Sequence, residues 1–586
     1  MASGSASGQG RQLRFALGAF RRALARRFHG SILYRWRYAG RTPDRLLLAP
    51  IDLRTADPTI ANDVYAGRWT LGGDTIDIHG FSVFDAEPPS EAWSRGLHAF
   101  GWLRHLRASD LSLSRPAARG LVDEWIRRGR RHDAVAWEPE VVARRIMVWL
   151  SQAPLVLEGC DFAFYRRFMR SLTGQVRHLR RVAYDGAPGL PRLGVTIALA
   201  DAALSMPGRP RFLKQAARRL DLELVGQILP DGGHVSRSPG AILDALVDLL
   251  PLRQAFIARG GQPSRILVSA IDRMMPMLRF MRQGDGSFAR FNGLGDTATD
   301  ELAAVLAYDD IRGAVPASAP HSGYQRLEAT GTIVVIDAGR PPPIEYSLAA
   351  HAGCLSFEMS VGRQRLIINC GVPSADNASL RRLARTTAAH STATLNDTSS
   401  CRFLTRDAIS DWLGEAIVTG PTRVDIERGT VGDAASLILR HDGYVDRYRI
   451  VHDRRLSLSG AGDRIEGIDS FLSPTGRPVS RSGKDTYAIR FHLHPAVRAT
   501  LGADGRGVHL ELPDGESWAF ETDAADLAVE ESILLSDRRG NRRTDQVVVY
   551  GRVQQNPSVA WQLHRTALGA RRQRPAPATD ETAVEG

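Results

Sequence analysis

The spacing of apolar residues changes its period once along this chain, between residues 315 and 325. From about residue 90 to 315, apolar side chains recur three and four apart. Examples are "GLVDEWIRRG", "PEVVARRIMVWLSQAPLVLE", "DFAFYRRFMRSLTGQVRHLRR", "RFLKQAARRLDLELVGQIL", "GAILDALVDLLPLRQAFIARG" and "SRILVSAIDRMMPMLRFMRQG". That is the stripe a helix buries on one face. Gly, Pro and Asp-Gly breaks separate the segments, which predicts antiparallel helix pairs joined by short loops. After about residue 325 the pattern alternates and is rich in β-branched residues, as in "TGTIVVIDAG", "CLSFEMSV", "RLIINC", "TYAIRFHLHP" and "TDQVVVYGRV". Such strands, punctuated by Gly and Asp-Gly turns, predict a large antiparallel sandwich. The chain reads as multidomain α + β: a basic segment 1–45, a helical domain 46–312, an Ala/Pro/Ser-rich linker, a β-domain 325–568 and a disordered tail 569–586.

At 586 residues the chain exceeds what one hydrophobic core usually organises. Its 43% hydrophobic and 24% charged residues suit a globular protein, and no run of about 18 uncharged apolar residues offers a membrane span. The longest apolar stretch, "LGVTIALADAALSMPG", is interrupted by Asp201 and reads as a buried helix. A net charge of +12 favours an acidic partner. Nucleic acid is not expected, because the arginines are scattered along helices and no zinc-finger, helix-turn-helix or RNA-binding signature occurs. Residues 10–40 are arginine-rich and amphipathic, suited to a solvated basic helix or to peripheral contact with anionic membrane. The apolar stretch "FALGAF" inside them is too short for a signal-peptide core, which points to a cytoplasmic or peripheral location.

The four cysteines show no CxxC spacing. Cys354 and Cys370 fall in paired strands of one hairpin, where they would either bridge or remain as small buried thiols. In that hairpin Leu355, Phe357, Met359 and Val361 share one face, Ser356, Glu358 and Ser360 share the other, and Gly362-Arg363 makes the turn. His351 and Asn369 are expected at the same end of it.

The segments "HAGCLSF", "RLIINCG" and "RTTAAHSTATLND", with "QILPDGGHVSRSP" and "GDGSFARFNG" in the helical half, resemble the heparinase II/III family of polysaccharide lyases. The resemblance runs from about residue 97 to 565. It implies an (α/α) toroid followed by a β-sandwich, an acidic polysaccharide as partner, β-elimination at a uronic acid and a periplasmic or envelope location. The chemistry needs a base, a group that neutralises the uronate carboxylate and an acid for the leaving oxygen. The family takes these from a toroid tyrosine, a toroid asparagine or histidine and a sandwich histidine, and some members hold a structural zinc.

Carried over residue by residue, Ala349 stands at the sandwich histidine's place, Gly240 and Ala241 near the tyrosine's, and "GLPRLG" at the toroid Asn-His pair. The implied zinc ligands are His351, Asn369 and His390, an amide replacing the usual carboxylate. Hydrogen-bonded histidines steadying strand ends would explain His351 and His390 equally. If catalysis persists, His234 is the candidate base and Arg237 the carboxylate clamp, against a loop histidine and a solvated arginine. Arg192 and Asn292 are candidate substrate-binding residues, although a turn alone accounts for Asn292-Gly293. His441, Tyr444, His452 and Arg455 read as structural, and His492 and His494 as strand decoration on one face. Two functions follow: a carbon-oxygen lyase on acidic polysaccharide, or a non-catalytic acidic-glycan-binding protein on the same scaffold.

Overall fold

The computed structural model describes residues 15–21, 24 and 41–569, apart from 79, 110, 130–133, 209, 310–312, 374–376, 405–413, 478, 480–483 and 537–539. The basic segment 10–40 is thus described only at 15–21 and 24, and the expected tail lies outside the described residues from 570 onward.

The helical half contains the helices Glu91–Ala99, Leu111–Arg128, Pro139–Ser151, Phe162–Val182, Leu190–Ser205, Pro210–Gln227, Pro239–Ala258 and Arg265–Phe280, with shorter turns between them. Side chains at their starts fix several of them. Asp161 accepts from Phe164 N, and Ser264 from Leu267 N, satisfying amides that have no partner inside the helix. The continuous helix expected over 139–158 is instead two, Pro139–Ser151 and Ala153–Leu157. Pro154 opens the second, where its missing N–H costs nothing. A small hairpin, Arg68–Leu71 with Asp74–Asp77, precedes the main helices. Arg145 is wholly buried among aromatic rings, its guanidinium 4.3 Å from the Trp125 centroid. It donates to Gln175 Oε1 and His98 O, each at 2.7 Å.

Among the described residues the β-half has two large sheets and a two-stranded pair, Arg402–Phe403 with Ile417–Thr419. One orders its strands Asp526–Leu534, Arg542–Arg552, Thr486–Leu493, Gln364–Ile368, Phe357–Val361, Thr332–Asp337, Tyr324–Ala329 and Ser318–Ala319, with Ala393–Leu395 also paired to Thr486–Leu493. The other runs Val424–Val431, Ala434–His441, Val451–Leu458, Arg464–Leu472, Ser558–Ala567, Ser517–Thr522, Gly507–Glu511 and Arg498–Leu501. Their inner faces share one apolar cluster that includes Phe357, Leu456, Phe491, Phe520 and Trp561. Gly467 pairs with Trp561, and a Cβ there would lie 2.1 Å from the indole.

A buried polar knot crosses this sandwich. Arg454 donates to Asp469 through Nε at 2.7 Å and Nη2 at 3.0 Å, His452 Nε2 meets Asp469 Oδ1 at 2.6 Å, and Trp561 Nε1 donates to Oδ2 at 2.9 Å. Although burial opposes ionisation, Arg454 and His452 hold the Asp469 carboxyl well below the usual range. Arg454 also donates to Leu355 O and Ser391 O at 2.9 Å, tying this sheet to the opposite one. The structural reading of His452 matches this placement. Asp469→Ala leaves a buried guanidinium without its counter-ion and is expected to cost about 3–5 kcal/mol, measured as a fall in the urea unfolding midpoint.

Candidate functional site

The two toroid loops singled out above share one construction. In each, an Asp-Gly turn follows a helix and closes a miniature antiparallel bridge: Ile228 with His234, and Arg282 with Phe288. Leu229 N donates to Gly233 O and Gln283 N to Ser287 O, both at 2.8 Å. Both loops press against the sandwich. A Cβ on Gly233 would fall 1.9 Å from Ser322 Oγ, and one on Gly284 would fall 1.7 Å from Gly362 O. Asp231 accepts from Ser322 N at 2.6 Å and Ser322 Oγ at 2.7 Å. Glycine here allows backbones to approach closer than any side chain would permit.

This docking accounts for the polar face of the 357–368 hairpin. Glu358 and Ser360 are fully buried because they face the second loop. Ser360 Oγ donates to Gln283 Oε1 at 2.7 Å and accepts from Gly284 N at 3.0 Å. Arg365 bonds Glu358 Oε2 at 3.0 Å and Phe288 O at 2.6 Å.

Arg237 lies at the centre of the junction, 7% exposed and in the left-handed region at φ 61°. Its N–H groups meet Ser322 O (2.7 Å), Gly339 O (3.3 Å), Arg340 O (3.1 Å), Gly323 O (3.4 Å) and the Asp337 carboxylate. An arginine has five donors, so this geometry leaves none for a ligand carboxylate. Burial opposes its charge, yet Asp337 holds its proton even more firmly than usual. Asn292, at φ 47°, donates to Tyr324 Oη at 2.8 Å and Asp337 Oδ2 at 3.2 Å and accepts from His351 N at 3.2 Å. Tyr324 Oη in turn donates to Arg237 O. Asp337 and Tyr324, which join these candidates, were not singled out in the sequence. The signal available was an aspartate closing the apolar strand "TIVVID".

His234 is 2% exposed. Its Nδ1 accepts from Ser236 N at 3.1 Å and lies 2.7 Å from Ser236 Oγ, while Nε2 faces Gln227 Oε1 at 3.1 Å. Burial pushes its imidazole down to about 4. Arg192 stands half-buried on the cleft wall and donates to Gly186 O at 3.3 Å.

His351 and His390 are brought together, Nδ1 to Nε2 at 3.0 Å with rings at 81°, and His390 Nδ1 meets Thr386 O at 2.7 Å. Gly353 makes this possible, since a Cβ there would lie 2.7 Å from the His390 ring. Asn369 is engaged elsewhere: Oδ1 accepts from Ser391 N at 3.0 Å and Nδ2 donates to Arg290 O at 3.3 Å. Among the described residues no three His, Cys, Asp or Glu side chains converge as a metal set. Two neutral imidazoles already bonded to each other do not fit a closed four-donor structural zinc. All four cysteines are free. Cys354 packs into the sandwich core, whereas Cys370 joins a separate cluster with its Sγ 3.5 Å from His492 Nδ1. His492 is buried and bonded to Ser532 Oγ at 2.8 Å and Ala388 O at 2.9 Å.

Beside the junction an open cleft of about 1200 Å³ separates toroid from sandwich, walled by Arg192, Val235, His321, Arg340, the run Pro341–Pro343 and Tyr346.

Residues 311–562 match the heparinase II/III-like C-terminal domain. FtsZ-localized protein C of Caulobacter vibrioides is 33% identical over 553 residues, 92% of this chain and 94% of that protein. The chain belongs to the heparinase II/III-like family. Its fold is similar to a crystal structure of heparinase III, with TM-score 0.66 at 12% identity over 90% of this chain and 88% of that one. It is also similar to a mutant of the heparan sulfate lyase HepC from Pedobacter heparinus, with TM-score 0.59 at 16% identity over 92% and 88%. These likenesses establish a toroid followed by a sandwich for this heparinase II/III-like chain.

Two outcomes follow from the geometry. Burial lowers His234 and His390 to about 4 and His492 to about 3, and lowers His351 too. Below about pH 6.5 the unfolded chain takes up protons that the folded chain refuses, so stability falls as pH drops from about 6.5 toward 4. Urea midpoints across that range measure it. A chelator is expected to leave the unfolding temperature unchanged, with elemental analysis finding no stoichiometric zinc.

Proposed function

We propose that this heparinase II/III-like protein binds an acidic polysaccharide in the cleft between toroid and sandwich without eliminating it. The observation that carries this reading is where the candidate catalytic groups point. Arg237 and Asn292 direct their polar atoms into the junction, and His234 has both ring nitrogens facing Ser236 and Gln227. Ala349 and Ala241 add no titratable group where the family resemblance expects side chains that act on substrate. β-Elimination needs a base with an available lone pair and a cation facing the uronate, and neither is offered by these residues. Of the cationic groups on the cleft wall, Arg192 and Arg340 are placed to meet a polyanion, opposed by Glu345. Lyase activity is the competing reading, supported by the likeness of fold to heparinase III and the heparan sulfate lyase HepC.

The name of the relative, FtsZ-localized protein C, supports a role beside the division machinery. The described part of the basic segment supports peripheral attachment to anionic membrane: residues 15–21 are helical, and Leu17, Phe20 and Leu24 are exposed. Among the described residues no helix is long and apolar enough to cross a membrane.

Purified full-length protein, offered a panel of uronate-containing polysaccharides, is expected to give no ultraviolet absorbance from unsaturated uronate. It is expected to show salt-sensitive binding that Arg192→Ala with Arg340→Ala weakens about tenfold. Product that disappears with His234→Ala would establish the lyase instead, and absence of both product and binding would overturn the glycan reading.

A further inference from the structure

The interdomain cleft has a third wall. Phe15 and Gly18, in the helical stretch 15–21, line it together with Arg192 of the toroid and Pro341–Pro343 and Tyr346 of the sandwich. Residues three and four apart on a helix share a face, and the accessibility of this stretch divides as that geometry requires. Phe15, Ala16, Gly18 and Ala19 are half-buried, whereas Leu17, Phe20, Arg21 and Leu24 are exposed.

This orientation is the reverse of what core packing selects. A helix held by burial turns its large apolar side chains inward, yet Leu17 is 68% and Leu24 59% exposed, and the face on the cleft carries two alanines, a glycine and one ring. Among the described residues Phe15 joins neither domain's apolar core. Burying so small a face contributes little, because the driving force scales with the apolar area removed from water. Downstream, the chain is tied to the toroid where Arg177 Nη2 donates to Arg41 O at 2.5 Å and Leu47 N donates to Ser205 O at 2.7 Å. A lightly seated helix ahead of a tethered point is an element whose fit to the cleft can change at little cost.

Volume and charge decide the direction in which it acts. With the helix in place the cleft keeps about 1200 Å³, ample for a chain of sugars, so the helix narrows the cleft without filling it. Arg21, one turn after the cleft-lining Gly18, adds a cation to those of Arg192 and Arg340. Like charges repel across an empty cleft and are reconciled by a polyanion lying between them. Phe15 offers an apolar surface to the carbon skeleton of a sugar ring.

We propose that the helix at residues 15–21 is a lid of the polysaccharide cleft, seated more firmly when a polyanion is bound and raising its affinity in return. The two effects are one coupling free energy seen from either side. The lid rests on the glycan-binding reading. It uses the inner face of the helix, so it does not compete with peripheral attachment through the outer face that carries Leu17 and Leu24.

Calorimetry and hydrogen exchange on the full chain test the lid, with hyaluronate, polygalacturonate and heparan sulfate as polyanions and dextran as the uncharged control. Phe15→Ser removes the ring without adding charge. It is expected to leave the unfolding temperature unchanged and to weaken the tightest of the three polyanions about fivefold. In the unaltered chain the amides of residues 15–21 are expected to exchange more slowly when that polyanion is present and at an unchanged rate with dextran. Tighter binding by Phe15→Ser would reveal a plug that competes with glycan, and undiminished binding or unchanged exchange would reveal a helix with no part in the site. Each of these overturns the lid and leaves the glycan reading standing, whereas no binding of any of the three polyanions by the unaltered chain overturns both.

Discussion

Everything at the meeting of the two domains depends on one buried guanidinium. Arg237 holds Asp337 and four backbone carbonyls of the sandwich, while its own carbonyl accepts from Tyr324. A buried charge is tolerable only when paired and fully hydrogen-bonded, and here the pairing partner belongs to the other domain. Its left-handed backbone turns the loop so that the side chain aims into the sandwich, where it lies 4.9 Å from the Tyr324 ring centroid. The same constraint reaches outward. Asp337 also binds Asn292, and Asn292 holds the backbone of His351, so toroid loop, strand end and histidine pair form one connected network.

That network explains why an open cleft coexists with so little exposed chemistry. Groups that could serve a substrate are instead the means by which two domains with separate cores stay in register. Arg326 acts alike, donating to Phe280 O at 2.9 Å and Arg282 O at 2.8 Å, where the last carbonyls of a toroid helix lack intrahelical partners. Arg365 repeats the device at the second Asp-Gly loop.

Much of this was legible in the residues. The single change of period marks where helices give way to strands, and the one-face pattern of Leu355, Phe357, Met359 and Val361 matches their burial in the sandwich core. The Asp-Gly loops announced themselves as special turns. Less legible was the opposite hairpin face: Glu358 and Ser360 alternate as a solvated edge would, yet are fully buried, because Gln283 and Gly284 of the toroid supply the partners that alternation cannot name. His351 and His390 do meet, as their shared motif implied, whereas Asn369 turns to Ser391 and Arg290. Direction of a side chain at a strand end is set by the nearest unsatisfied amide, which sequence spacing does not contain.

The sequence by itself determined the order of the two architectures, the hairpin turn at Gly362, the Asp-Gly turns of the two toroid loops and the family, because periodicity, turn chemistry and motif spacing are local. Only the tertiary structure decided what the charged and polar residues do. Arg237, Asp337 and Asn292 are far apart along the chain and acquire their roles when two domains exclude water between them. Likewise Asp201 is a blemish in an apolar helix until folding sets it beside Asp248 and Arg144. Burial and pairing fix the state of an ionisable group, and both are properties of the packed whole.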